Sequence, residues 1–550
     1  MTGSTPPQTA RSRPGQRLES WKEIAAYLKR GVRTVRRWEA VEGLPVHRHV
    51  HASRATVYAH PPEIDAWWEG RRHGSHRPVP PVGHPLGGSA DRVMVAVLPF
   101  ANLSGDAPHE CFGDGLTEEV ITELGRLHPD ALGVIARTTV MHYKTARRTV
   151  RQIGEELRVR FVLDGSARFE GDRVCVTTQL VRAEDQAQVW AARYERPVRS
   201  ILALQQEIAS EIGREVRVTL TPAQQARRGT ARDIEPEAYL AYLRGRHFLN
   251  EFTSDAVRRA VECFKAALDI DPTYAQAHAS LSEAYAHLGV WTDMPTATTL
   301  PLAIGAAHAA LGLDPGLAEA YAALGLIHAN HVWDWHGAER YFLRALQLNP
   351  SLAAAAQWYA EFLAELGRIE EALAIVDLAA RHDPLSRSIP ASRAFVFWLG
   401  RRFHEAIAEA ERVLAIDPDY PMALIRLGVA QAGTGAYDKA ADAFLAAREA
   451  TPGLIDCTSL LGYAYACSGR TADAQAQLEA LRGHAGERYV PPFLFANVHL
   501  GLGEHETALE CIERECDARG WYMLLIKQSP LYDPLRAHPR FEALLGRLNL

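Results

Sequence analysis

The stretch "GVRTVRRWEA", residues 31–40, sets three arginines and a threonine at spacings that suit binding of a polyanion. Each residue of an α-helix turns by about 100°, so Arg33, Arg36, Arg37 and Ala40 share a sector of about 100°. Val32, Val35, Trp38 and Val41 lie broadly on the other side. Guanidinium groups on an exposed helix can hold phosphate oxygens or pair bidentately with guanine, and spacing alone does not separate the two uses. The same pattern also describes an ordinary solvated basic face. Charge along the chain bears on the choice. The whole sequence has 60 Lys and Arg against 66 Asp and Glu, a net charge of −6. Residues 1–77 hold 14 basic against 7 acidic side chains, a balance of +7, whereas residues 233–550 hold 26 against 40, a balance of −14. A basic head on an acidic body places a polyanion at the head alone.

Other candidate chemistry is sparser. Gly113-Asp114-Gly115 precedes a helical pattern whose N-terminus could attract an anion. A tight turn, with Asp114 or Thr117 near the helix cap, is the preferred reading of it. His47, His49 and His51 share one strand face and could ligate a metal, but no carboxylate or cysteine nearby completes a set, so no metal is expected. There is no GxxxxGK[ST], full GxGxxG or HExxH, no kinase or nucleotide cyclase signature, and no nucleophile–base constellation. The chain is therefore expected to be no enzyme and to need no cofactor. Its seven cysteines are scattered without a CxxC pair, which fits a reducing cytoplasm. No apolar h-region opens the sequence and no apolar run approaches the ~18 residues of a membrane span, so neither export nor a membrane partner is expected.

Several elements must position the arginines. Ser20 with Glu23 three residues on is a capping-box signature, and Trp21, Ile24, Ala25 and Leu28 then form one apolar stripe. A short turn leads to the basic helix, which Gly43 and Pro45 end. "PVHRHVHASRATVYAH" alternates as a hairpin turning near Ala52-Ser53, and "PPEIDAWWEGRR" reads as a third helix with Ile64, Trp67 and Trp68 inward. The run from "SWKEIAAYL" through "RTVRRWE" and "EGLPV" to "EIDAWW" resembles the winged helix-turn-helix of the MerR and excisionase group. That resemblance implies that Arg33, Thr34, Arg36 and Arg37 face the major groove of double-stranded DNA. It also implies that the wing, with Arg48 and Arg54, lies on phosphate or the minor groove.

A Pro-, Gly- and Ser-rich linker, residues 73–91, follows this head of residues 18–72, and residues 1–17 are expected to be disordered. Residues 92–220 read as an α/β domain with a mixed sheet. "RVMVAVLPF" suits a buried strand, "GLTEEVITELGRL" a helix, "ALGVIART" a second strand and "TVRQIGEELRV" a second helix. A meander at 159–169, 172–183 and 187–194 turns at Gly171 and Glu184-Asp185, and "ILALQQEIASEIGREV" closes the domain as an amphipathic helix. "VAVLPFANLSGD", "FGDGLTEEVITEL", "FVLDGSARFEGDRVCVTTQL" and "VWAARYER" resemble the amino-terminal domain of the TolB group and the related flagellar protein FlgO.

After a second linker, 221–234, the tail repeats itself. Prolines recur at 272, 315, 350, 384, 418 and 452, and alanines at 260, 303, 338, 372, 406, 440, 474 and 508. Four residues after most of these alanines comes a bulky one: Phe264, Phe342, Val376, Phe444, Leu478 and Ile512. A period of 34 residues holds two short helices and two turns, with the small residue allowing close approach and the proline ending the second helix. Residues 235–520 resemble about eight tetratricopeptide repeats, and 521–550 a capping segment. The resemblance implies a concave face for a protein or peptide partner, with Phe395, Trp398, Tyr463, Phe493 and Asn497 positioned to line it. Packing between repeats explains the same aromatics.

The sequence thus reads as multidomain and mainly α: a winged helix-turn-helix, an α/β mixed-sheet domain and a tetratricopeptide α-solenoid. Its expected role is a cytoplasmic DNA-binding transcriptional regulator, a homodimer reading two half-sites, with a protein partner on the repeats. The alternative is a scaffold that binds proteins and no DNA.

Overall fold

The computed structural model describes residues 18, 20–28, 31, 32, 35, 46–50, 55–59 and 64 of the head. Beyond it, residues 92–104, 110–127, 129–146, 148–170, 172–216, 233–251, 253–290, 294–487 and 489–550 are described. The chain divides into two units, Met1–Gly87 and Gly88–Leu550. The expected disordered start, residues 1–17, the linker at 73–91 and most of that at 221–234 lie outside the described residues.

In the first unit, Ser20 has extended backbone and its Oγ accepts from the Glu23 amide at 3.2 Å, capping α1 (Trp21–Tyr27). Ile24 and Ala25 point inward and meet Val35, Ala59 and Ile64, with Leu18, Trp21, Val32 and Val46 packed around them. The Val35 amide donates to the Gly31 carbonyl at 3.1 Å, one helical turn back. β1 (His47–Val50) and β2 (Ala55–Tyr58) pair antiparallel, His47 opposite Tyr58 and Val50 opposite Ala55. Leu18 and Ala59 exchange two backbone bonds of 2.9 Å, which ties the entry of the chain to the hairpin. Trp38, Val41, Trp67, Trp68 and the hairpin turn lie outside the described residues.

The second unit opens with β3 (Val93–Val97) and β4 (Ala101–Asn102), followed by α2 (Glu110–Leu127), β5 (Leu132–Val134), α3 (Arg137–Val140) and α4 (Val150–Leu157). β6 (Phe161–Glu170), β7 (Arg173–Arg182), β8 (Gln188–Pro197) and α5 (Ile201–Glu215) complete the domain. The strand order is β5-β3-β6-β7-β8, with β4 also paired to β6. β3 runs parallel to β5 and β6, and the last three strands form an antiparallel meander. The mixed sheet agrees with the alternation in the sequence, and α4 has the full capping box, Thr149 with Gln152. Gly113 and Gly115 differ from expectation. Both stand within α2 and not in a turn before it.

Sixteen helices then pair into eight hairpins among the described residues. They are α6 (Pro236–Leu249) with α7 (Ser254–Ile270), α8 (Ala275–Val290) with α9 (Thr296–Leu313), α10 (Ala318–Ile327) with α11 (Trp335–Leu348), and α12 (Ala353–Glu365) with α13 (Ile369–His382). α14 (Ser388–Leu399) pairs with α15 (Phe403–Leu414), α16 (Pro421–Gly433) with α17 (Tyr437–Ala450), α18 (Asp456–Cys467) with α19 (Thr471–Glu487), and α20 (Pro492–Gly501) with α21 (His505–Asp517). The repeating alanines are all buried, as are Phe264, Phe342, Val376, Phe444, Leu478 and Ile512. The reason is visible at the glycines: a Cβ on Gly245, Gly325 or Gly428 would lie 2.4–2.7 Å from the ring of Phe264, Phe342 or Phe444. Glycine on the first helix and phenylalanine on the second therefore set the helix spacing. A π turn, His328–Val332, leads into the insertion "HVWDWHG", with Trp333 in the left-handed region at φ 60° and Trp335–Gly337 opening α11. α9 is long and apolar enough, by length and composition, to cross a membrane, which the sequence reading missed. In the array its Ala303, Ala306, Ala307 and Ala310 are buried.

Candidate nucleic-acid head and interaction faces

The head brings Val32 and Val35 into one core with α1 and the hairpin. Arg33, Thr34, Arg36, Arg37 and Arg54 lie outside the described residues. Arg48 is placed on β1, opposite Val57. His47 and His49 are on the same strand, and His51 lies outside the described residues. Among the described residues no group of three or more His, Cys, Asp or Glu is arranged to hold a metal ion.

The Gly-Asp-Gly stretch serves packing. A Cβ on Gly113 would lie 2.4 Å from the Phe100 carbonyl oxygen, and one on Gly115 equally close to Leu243 of α6. Thr117 Oγ1 donates to the Gly113 carbonyl at 2.7 Å and accepts from the Phe100 amide at 2.9 Å, while Asp114 pairs with Lys144 at 2.7 Å. Thr117 thus ties Phe100, in the loop after β3, to α2, and the segment lies within α2 and not in the expected tight turn.

Sequence reasoning missed the seam between the α/β domain and the array. One part is charged. Arg246 of α6 donates to Glu118 of α2 at 3.0 Å and to Glu283 of α8 at 3.3 Å, and Tyr242 Oη donates to Glu119 at 2.7 Å. Arg126 of α2 holds Asp314, between α9 and α10, at 2.5 Å and Glu123 at 3.2 Å. Glu118, Glu119, Arg126, Tyr242, Arg246 and Glu319 line one small pocket there. Burial pushes the Glu119 carboxyl up to about 8, only partly opposed by its bond from Tyr242. Burial also raises Glu319, whose two carboxyl oxygens are buried without a hydrogen-bond partner.

The other part of the seam is built from hydrogen bonds. The turns after α11 and α13, read in sequence only as helix stops, clasp the edge of the sheet. Ser351 Oγ accepts from the Val134 amide at 3.0 Å, and the His382 carbonyl accepts from the Ala136 amide at 2.7 Å. Thr139 Oγ1 donates to Asp383 at 2.7 Å and accepts from the Leu385 amide at 2.9 Å. His382 lies against the Val134 carbonyl at 3.2 Å, and burial pulls its imidazole down to about 4, so it is neutral. The sequence signal was a polar residue beside each proline, Ser351 after Pro350 and Asp383 before Pro384. These contacts join residues more than 200 positions apart, for which periodicity is blind.

Of the five residues expected to line a partner groove, four are buried and Tyr463 is half-buried. Phe395 and Trp398 are buried 5.7 Å apart, with the Arg426 guanidinium 4.0 Å over the Phe395 ring. Trp398 Nε1 is buried without a hydrogen-bond partner. Tyr463 is half-buried near Tyr437. Phe493 stacks on Tyr522 at 4.4 Å, and Asn497 Oδ1 accepts from Tyr532 Oη at 2.7 Å. Tyr522 and Tyr532 belong to the C-terminal segment. It runs as three 3-10 turns, Trp521–Met523, Leu525–Lys527 and Pro530–Leu535, into α22 (Pro539–Arg547). α22 caps α21, as Arg540 with Glu513 at 2.8 Å illustrates. The segment also returns to much earlier repeats. Asp533 pairs with Arg401 at 2.5 Å, the Arg519 carbonyl meets His331 at 3.3 Å, and the Leu548 carbonyl accepts from Trp335 Nε1 at 3.0 Å. The chain itself therefore covers Phe493 and Asn497.

With this geometry in view, residues 90–211 match the family described as "HilA/YgeH-like transcriptional regulator, second domain". The match begins just before β3 and ends within α5. Residues 334–389 and 395–455 match tetratricopeptide repeats. A protein named "Putative adenylate cyclase 3" from Rhizobium meliloti (strain 1021) is 38% identical over 188 residues, 34% of this chain and 32% of that protein. The chain thus spans about a third of the length of this curated relative. Among solved structures, PilW, a type IV pilus biogenesis factor, aligns with a TM-score of 0.32 and 21% identity, over 38% of this chain and 92% of PilW. The human IFIT1 dimer with PPP-AAAA aligns with a TM-score of 0.40 and 16% identity, over 58% of this chain and 83% of that one.

Proposed function

We propose that this chain is a cytoplasmic transcriptional regulator whose head binds double-stranded DNA and whose array receives a protein partner. The observation that carries the reading is the match of residues 90–211 to a transcriptional-regulator domain directly behind a head of charge +7. The packing of the head supports it. Val35 is in the core with Val32 packed against it, and at about 100° per residue a helix would set Arg33 and Arg37 about 160° from Val35 and Arg36 about 100° from it. In this reading Arg33, Thr34, Arg36 and Arg37 enter the major groove, and Arg48 and Arg54 on the hairpin hold phosphate. The resemblances to the MerR and excisionase group and to the TolB group with FlgO belong to the same proposal.

We also propose that the chain is not a cyclase, although its relative bears that name. The two share about a third of each chain, and no cyclase signature occurs in this sequence. Selection of bound fragments from genomic DNA with the full chain should recover a recurring site. Arg33→Ala/Arg36→Ala/Arg37→Ala should lose that enrichment, and the protein should form no cyclic AMP from ATP. A scaffold without a DNA role is the second reading, favoured by the two repeat matches. Enrichment no better than background with the full chain, together with a captured protein partner, would establish it instead.

A further inference from the structure

β8 is the last strand of the sheet, ten residues long, and among the described residues no strand pairs with its outer side. A long open edge is a template for another strand. The two faces of β8 differ. Tyr194 is buried and donates to Glu211 of α5 at 2.7 Å, and Arg196 pairs with Glu207 of α5 at 3.2 Å. Ala191, Arg193 and Glu195, at the alternate positions, are exposed on the opposite face. The Glu195 carboxylate accepts from Arg173 of β7 at 2.9 Å in an exposed ion pair, and its carbonyl accepts from Arg196 at 3.2 Å and Arg173 at 3.4 Å; a pairing strand would replace these surface contacts.

We propose that β8 pairs antiparallel with β8 of a second copy of this chain, about a two-fold axis at Tyr194, joining the two sheets through Arg193 of each copy opposite Glu195 of the other. The occupant follows from charge. Directly opposed residues on one face of an antiparallel pair interact, favourably when their charges are opposite. With the axis at Tyr194, both Arg193–Glu195 pairs form, and Ala192 faces Arg196 with room for its side chain. An axis at Arg193 opposes two arginines, and one at Glu195 opposes two glutamates. Moving the axis to Ala192 sets Arg193 against Ala191 and leaves no charge pair. The strand is therefore self-complementary in one register. A two-strand ribbon lies at the small end of specific interfaces, so the association is expected in the micromolar range. It does not rest on the DNA reading and is measured without DNA.

Sedimentation equilibrium of the full chain over roughly 1–100 μM should show a monomer–dimer equilibrium. Arg193→Glu and Glu195→Arg should each weaken it at least tenfold, and the double reversal Arg193→Glu/Glu195→Arg should restore it. Amide exchange across 188–197 should slow as wild-type concentration rises, a readout that needs no variant. A chain monomeric throughout that range overturns the proposal. So does a dimer indifferent to these charges, or one whose β8 amides exchange equally at all concentrations.

Discussion

Gly113 and Thr139 fix parts of the fold as firmly as any of the ion pairs. Gly113 lets the Phe100 carbonyl approach α2, and a Cβ there would meet backbone at 2.4 Å, which cannot swing aside. Gly113→Ala should cost ~1–3 kcal/mol, read as a lower urea midpoint. Thr139→Val keeps the shape but leaves the Leu385 amide without its partner and removes one of the hydrogen bonds to Asp383. It should cost ~1–3 kcal/mol, and an unchanged midpoint would mean that the turn after α13 does not hold the sheet. Glu119 gives the seam a pH dependence. Its folded value of about 8 lies above the ordinary 4.5, so the native state holds a proton that the unfolded chain releases. Its contribution is complete below about pH 4.5 and is lost as pH rises through about 8. Glu119→Gln, neutral at every pH, should flatten the fall in urea midpoint between about pH 5 and pH 9. An equally steep fall in the variant would remove Glu119 from the account.

At the level of elements, what the sequence reveals is what repeats. The alanine beat and the bulky residue four positions on are legible because each hairpin solves the same packing problem, and Phe264, Phe342 and Phe444 meet glycine as that solution requires. The meander is legible because alternation marks strands. The seam is not, since Ser351, His382 and Asp383 act through single contacts with no period. The C-terminal segment was only half legible: the capping role of α22 follows from its position, whereas the return of Asp533 to Arg401 does not. The head is the converse case. Arg33, Arg36 and Arg37 stand out in sequence and lie outside the described residues. The segment carries its own prediction. Met523, Leu524, Ile526, Tyr532 and Leu535 are fully buried. At roughly 1.5–3 kcal/mol for each large apolar side chain, deleting 521–550 removes on the order of 10 kcal/mol and exposes Phe493. Limited proteolysis should then cut α18–α21 readily, whereas Tyr532→Phe, which removes only the bond to Asn497, should cost about 1 kcal/mol. Protection unchanged by the deletion would reduce the segment to an optional tail.

Across the whole molecule, the α/β domain and the array are joined through ion pairs on one side and inter-repeat turns on the other, and the C-terminal segment ties late repeats to early ones. The proposed role of this body is to pair and present basic heads to DNA, and the heads are where that account is most exposed to test. The decisive measurement is the affinity of the full chain for a selected genomic DNA fragment as a function of salt. Each phosphate contact contributes about 0.9 to the slope of log affinity against log salt. The account predicts binding that weakens steeply between roughly 50 and 200 mM salt, with a slope reduced by up to about three units in Arg33→Ala/Arg36→Ala/Arg37→Ala. No binding at low salt, or a slope the triple variant leaves unchanged, would contradict it.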